Sequence, residues 1–135
     1  MLKSNNFFAQ YRVYYEDTDA GGVMYYANYL KFFERARTDF LRHLKISQQE
    51  LIETEKTAFV VRRCELDCVR PAKLDDLLEV TVKVEEINAA SIVMRQEMCK
   101  ADEVISRLKV EIVCVGFDNF KPKKISQKMR EDLGL

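Results

Sequence analysis

Val13-Tyr14-Tyr15-Glu16-Asp17-Thr18-Asp19-Ala20-Gly21-Gly22-Val23-Met24-Tyr25-Tyr26-Ala27-Asn28-Tyr29 is the stretch across which the hydrophobic period of this chain changes. Before it, Phe7, Ala9, Tyr11, Val13 and Tyr15 occupy odd positions with polar residues between several of them, the period of a half-buried strand. After it, Tyr29, Phe33, Ala36, Phe40 and Leu44 recur at three- and four-residue steps, with Leu30 and Leu41 on the same side. Lys31, Glu34, Arg35, Arg37, Asp39 and Arg42 fill much of the rest. The spacing predicts a strand over 7–15, a loop over 16–22 where acids and two glycines break the pattern, and an amphipathic helix over 27–44. The apolar stripe of so long a helix must be covered by something.

The cover lies downstream. Ser47, with Glu50 three residues later, forms a capping box for a short helix over 48–55. Residues 58–69 are rich in β-branched side chains, and Leu78, Val80, Val82 and Val84 alternate with polar neighbours. Ile92, Met94 and Met98 share a face, and a longer strand over 104–117 is apolar at Leu108, Val110, Ile112 and Cys114, then on both faces through Val113 and Val115. Turn chemistry separates these runs at Arg70-Pro71, Asp75-Asp76, Asn88-Ala89 and Ala101-Asp102. A basic turn at Phe120-Lys121-Pro122 leads to a terminal helix over 126–133. One strand, one long helix and then about four strands on short turns imply an α+β fold, an antiparallel sheet of about five strands wrapped around one central helix.

Composition narrows the class. A chain of 135 residues, 47% hydrophobic and 33% charged, is expected to form one globular domain over 1–135, with no stable membrane insertion. Lys plus Arg and Asp plus Glu each number 22, so no net field draws in a nucleic-acid backbone and no nucleic-acid partner is expected. The first residues lack the apolar run of a secretory signal, so a cytoplasmic protein is expected. On a strand, Cys64 and Cys68 would stand about 13 Å apart, beyond disulfide reach, and the four cysteines read as buried free thiols. With one histidine and no paired CxxC motif, neither a metal nor another cofactor is expected.

The quoted stretch resembles the signature of the hydroxybenzoyl-CoA thioesterase family, in its Tol-Pal-associated, YbgC-like branch of acyl-CoA thioesterases. Phe32-Phe33-Glu34-Arg35-Ala36-Arg37, Phe59-Val60-Val61-Arg62 and Ala72-Lys73-Leu74-Asp75-Asp76-Leu77-Leu78 resemble it too, so the likeness runs in order along nearly the whole chain. The resemblance implies a hotdog fold assembled as a homodimer or homotetramer, an acyl-CoA substrate, Asp19 as the catalytic carboxylate, and the backbone N–H of Tyr26 as the donor that polarises the carbonyl. Where the branch usually carries histidine, this chain has Tyr26, as the hydroxybenzoyl-CoA enzymes do. A role for imidazole there is removed, while a backbone donor is preserved.

These residue types suit the reaction. A thiol leaves with a pKa near 8.5, so thioester hydrolysis needs a carboxylate and an oxyanion site but no strong general acid. Asp19 sits between strand and helix, the glycines after it allow a sharp turn, and the first helical turn offers unpaired N–H groups with the positive end of the helix dipole. Asp19 then serves as general base on water or as nucleophile; the bland reading is that Asp17 and Asp19 only cap the loop.

Among substrate-binding candidates, Tyr25 stands next to the site as a residue that could line an acyl tunnel, and Val61, Arg62 and Arg63 lie on a strand that the resemblance places beside pantetheine. Strict alternation would point the two arginines to opposite faces, one toward a CoA phosphate or ribose across a subunit boundary. Glu34 reads more simply as a solvated helix residue and His43 as a cation at a helix end. Lys121, Lys123 and Lys124 are candidates for phosphate or for an anionic membrane, against the simpler reading of a solvated turn. The competing function is a non-catalytic binding module for acyl-CoA or an acyl carrier protein in a phospholipid- or envelope-related complex. A hotdog dehydratase fits less well, since such lyases usually pair a histidine with a carboxylate.

Overall fold

The computed structural model describes residues 7–134. Its elements are β1 (Phe7–Arg12), a 3-10 turn (Tyr15–Asp17), α1 (Tyr26–His43), α2 (Gln48–Glu55), β2 (Thr57–Cys68), β3 (Leu77–Ile87), β4 (Ser91–Lys100), β5 (Glu103–Gly116) and α3 (Gln127–Leu133). All strand pairs are antiparallel, in the order β1-β3-β4-β5-β2. The five-stranded α+β architecture expected from the period changes is present, in the hotdog arrangement that the resemblance implied.

The first strand is shorter than its alternation implied. It ends at Arg12 because Val13 turns inward, fully buried, and exchanges backbone bonds with the 75–76 turn: Val13 N donates to Asp76 O at 2.9 Å and Asp75 N to Val13 O at 3.0 Å. Tyr14 and Tyr15 then enter the 3-10 turn. Ser47 Oγ accepts from Glu50 N at 3.2 Å, starting α2, and Ser126 Oγ accepts from Met129 N at 3.1 Å, so Ser126 caps α3 and stands outside it. Among the described residues no helix is long and apolar enough to cross a membrane.

One face of α1, carrying Tyr29, Phe32, Phe33, Ala36 and Phe40, packs on the even-numbered row Leu78, Val80, Val82 and Val84 of β3 and on Met94, Met98, Leu108 and Val110. Burial of aromatic and aliphatic side chains of this size stabilises by about 1.5–3 kcal/mol each, before the entropy of ordering them. The helix covers the centre of the sheet and leaves β2, the edge strand, largely uncovered. One expectation changes for that reason. Cys64 and Cys68, read as buried, are exposed on β2; Cys99 is half-buried, and only Cys114 lies in the core. On α1, Leu30, placed beside the apolar stripe, is 39% exposed, whereas Arg37, one of the charged residues between the apolar positions, is only 9% exposed.

Arg37 is held by a polar pair inside the core. Its guanidinium donates to Gln96 Oε1 at 2.9 Å, and Gln96 Nε2 donates to the Phe33 carbonyl at 3.0 Å. No carboxylate lies within ion-pair distance of Arg37 among the described residues, and burial lowers the pKa of its guanidinium from the ordinary value. Gln96→Leu is therefore expected to destabilise the fold by about 2–3 kcal/mol, because it strands a buried charge. The double variant Arg37→Met/Gln96→Leu, which removes both partners, should fall within about 1 kcal/mol of the parent. Denaturant unfolding of both variants checks this, and a double variant no more stable than Gln96→Leu would contradict it.

Candidate functional site

The loop between β1 and α1 is built from its own side chains. Asp17 Oδ2 accepts from Tyr14 N at 2.8 Å, Asp17 O accepts from Asn28 Nδ2 at 2.8 Å and from Tyr25 N at 3.4 Å, and Thr18 forms a β-bridge with Met24. Met24 N donates to Ala72 O at 2.7 Å, and the buried Tyr29 hydroxyl accepts from Ala72 N at 3.1 Å. The loop is thus tied both to the start of α1 and to the chain leaving β2. Asp17 caps the loop as the bland reading proposed, and Asp19 caps its tip through one carboxylate oxygen.

Asp19 lies at the tip, exposed. Its Oδ1 accepts from Gly21 N at 2.8 Å, an Asx turn, and its backbone closes the tip: Asp19 N donates to Val23 O at 2.9 Å and Gly22 N to Asp19 O at 3.0 Å. Gly22 has φ +79°, a left-handed conformation that disfavours a side chain, and a Cβ on Gly21 would stand 3.3 Å from Asp19 Oδ1. Both glycines therefore serve the carboxylate, one by allowing the turn and the other by leaving room beside it. Asp19 Oδ2 has no hydrogen-bond partner among the described residues.

Helix α1 begins immediately beyond, at Tyr26. Its N-cap residue, Tyr25, makes no side-chain capping bond, and no acid occupies the first turn. The N–H groups of Tyr26 and Ala27 accordingly have no recorded protein acceptor among the described residues. An uncapped start, with the positive end of an 18-residue helix behind it, suits a developing oxyanion. Tyr25 and Tyr26 are 49% and 64% exposed, their rings 4.8 Å apart. Hydrogen bonding to Tyr26 pushes the Tyr25 phenol up from its ordinary pKa.

The β2 candidates lie elsewhere within one protomer. Arg62 is about six residues, roughly 20 Å, from the Cys68 end of β2 that runs under the Asp19 loop. A bulge between Val61 and Arg63 interrupts the alternation on which opposite faces for the two arginines rested. Arg62 instead donates to Glu111 Oε2 at 2.7 Å, and Arg63 sits in register with the same Glu111. Val61, 52% exposed, lines a cavity of about 100 Å³ between α1, α2 and β2 together with Glu34, Arg37, Thr38 and Phe59. His43 packs its ring 5.4 Å from that of Phe7, at the opposite end of α1 from Asp19. A concavity of about 730 Å³ lies on the sheet among charged residues such as Glu65, Lys83, Arg95 and Lys109, and Asp19 is not part of its lining.

Asn28 was not singled out as a site residue from the sequence, yet its amide ties the Asp17 carbonyl to α1. A polar residue in the first turn of an otherwise uncapped helix was the available signal. Within one protomer the arrangement presents an exposed carboxylate and a bare helix start, with no wall over them.

A model of the thioesterase-like superfamily matches residues 13–133. The chain is 44% identical over 129 residues to the acyl-CoA thioesterase YbgC of Haemophilus influenzae, covering 96% of this chain and 95% of that one. It is 43% identical over 119 residues to the acyl-CoA thioester hydrolase YbgC of Escherichia coli O157:H7, covering 87% and 88%. Among solved structures, a probable thioesterase from Bartonella henselae superposes with a TM-score of 0.85 at 36% identity, covering 90% of this chain and 99% of that one.

Proposed function

The chain belongs to the thioesterase-like superfamily, and on that premise we propose that Asp19 drives hydrolysis of an acyl-CoA thioester whose carbonyl oxygen is held by the backbone N–H of Tyr26. The protein is an acyl-CoA thioesterase, releasing a free acid and the CoA thiol. The observation that carries the residue assignment is the pairing of an Asx-turned, exposed carboxylate with an uncapped helix start in one tied loop. Water activated by Asp19, or Asp19 itself, attacks the carbonyl carbon; the oxygen gains charge toward the helix N–H groups, and the thiolate departs. Mutating Asp19 and following thiol release from acyl-CoA tests the assignment. Stoichiometric acyl-CoA binding without turnover in the parent protein would instead favour a binding module.

The missing wall is supplied by a second copy. β2 presents 12 residues on an open sheet edge, with Val60 and Val61 37% and 52% exposed, an arrangement that unassembled proteins avoid. Two copies of one edge related by a two-fold axis pair antiparallel, which removes both open edges at once. Val61→Asp, placing like charges near that axis, is expected to yield monomers at micromolar concentration and to lower kcat/KM at least tenfold. Sedimentation velocity beside the thiol assay checks it; a monomer of full activity would sink the assembled site. Exposed Cys64 and Cys68, unpaired as thiols, support action in the reducing cytoplasm.

A further inference from the structure

The Asp19 loop has two arms, and they are anchored differently. The returning arm, which runs into α1, is fixed to the chain leaving β2: Met24 N donates to Ala72 O at 2.7 Å, Val23 forms a β-bridge with Lys73, and Leu74 N donates to Gly22 O at 3.4 Å. The outgoing arm, residues 17–19, carries the carboxylate. It is joined to the returning arm by the Thr18 to Met24 bridge and by Asp19 N donating to Val23 O at 2.9 Å. Its meeting point with the helix, among the described residues, is the Asp17 carbonyl. Two donors converge there, Asn28 Nδ2 at 2.8 Å and Tyr25 N at the longer 3.4 Å, so the side-chain amide makes the better bond.

Asn28 is the third residue of α1, and its own N–H donates to Tyr25 O at 2.8 Å. The third position of a helix commonly holds an acid that reaches back to the N-cap N–H, as Glu50 is placed in α2. At Asn28 the chemistry is reversed. The Asp17 carbonyl can only accept, so the nitrogen end of the amide faces it, and the side chain gives a hydrogen bond where an acid would take one. A donor at this position pulls the outgoing arm against the first turn without claiming any N–H of that turn. We propose that Asn28 is the positioning residue of the hydrolytic site, its amide fixing the Asp19 carboxylate relative to the Tyr26 N–H through the Asp17 carbonyl. This rests on the roles given to Asp19 and Tyr26 above and adds the side chain that sets the distance between them.

Asn28→Ala removes the anchor and leaves the N–H groups of the first turn as they were. It is expected to lower kcat for acyl-CoA about 30- to 100-fold, the scale of roughly an ångström of misplacement, with KM within about twofold of the parent. Asn28→Asp keeps the size of the side chain, sets a carboxylate against the Asp17 carbonyl and supplies an acid that suits the helix dipole. Its kcat should fall at least as far, while its melting temperature stays at or above that of Asn28→Ala, which separates loss of positioning from loss of fold. The deciding measurement is single-turnover thiol release in the Asp19→Asn background. There Asn28→Ala should cost about twofold or less, because holding a carboxylate that is absent gains nothing. Full additivity of the two substitutions would overturn the proposal by showing that Asn28 acts on something other than Asp19. So would parental kcat in Asn28→Ala, or losses of kcat that follow melting temperature across the Asn28 variants. An Asp19→Asn protein with parental kcat would instead sink the assignment beneath the inference, whatever the Asn28 variants do.

Discussion

Asp19→Asn is expected to lower kcat for acyl-CoA hydrolysis by about a thousandfold, the scale of losing a positioned base, while leaving the melting temperature within a few degrees. The carboxamide is nearly isosteric and its oxygen can still accept from Gly21 N, so the Asx turn that shapes the tip persists. What disappears is the negative charge and with it either proton abstraction from water or attack on the carbonyl. Because Asp19 is exposed and packs against no core residue, loss of activity with loss of fold is not the anticipated pattern. Asp17→Asn is the control. Its carboxylate holds Tyr14 N, so its change should register more in stability than in turnover. Single-turnover thiol release and thermal unfolding of both variants separate the cases; an Asp19→Asn enzyme with even a tenth of parental kcat would remove Asp19 from the chemistry.

Tyr26→Pro is expected to cost about a hundredfold to a thousandfold in kcat, the range measured when one oxyanion donor is deleted. Tyr26 is the first residue of α1, the position where proline is most readily accepted by a helix, because the N–H it lacks has no intrahelical partner there. The preceding Tyr25 already has φ −63° and ψ 135°, the extended conformation that a following proline requires. The substitution therefore deletes the backbone donor with little demand on the fold. Tyr26→Ala removes the same side chain and keeps the N–H, so it should stay within a few-fold of the parent in kcat. If alanine and proline lost activity equally, the phenol ring and not the main chain would be the working group.

The strand, the acidic loop and the long helix were legible because each is written locally. A period of two before residue 16 and of 3.6 after residue 26 needs no knowledge of distant contacts, and two adjacent glycines after Asp19 announce the turn that presents it. The caps Ser47 and Ser126 were legible for the same reason, although Ser126 proved to be the cap and not the first helical residue. The roles proposed for Asp19 and the Tyr26 N–H came from the motif.

Other properties depended on which residues meet from far apart in the chain. Arg37 stands one helical turn from Phe33 and Phe40, on the side of α1 that periodicity turns inward, and Gln96, 59 residues away, supplies the buried acceptor that lets a guanidinium occupy it. Cys64 and Cys68 carry the β-branched neighbourhood of a core strand, but β2 is the edge strand of the sheet, and both thiols stay exposed. The bulge at Arg62 cancelled the alternation that set the two arginines apart, because ladder register against β5 is a property of two strands together. Local periodicity thus determined which elements form and where the carboxylate sits. Strand order and long-range pairing decided what is covered and what is left bare, because burial is a relation between segments and no single segment carries it.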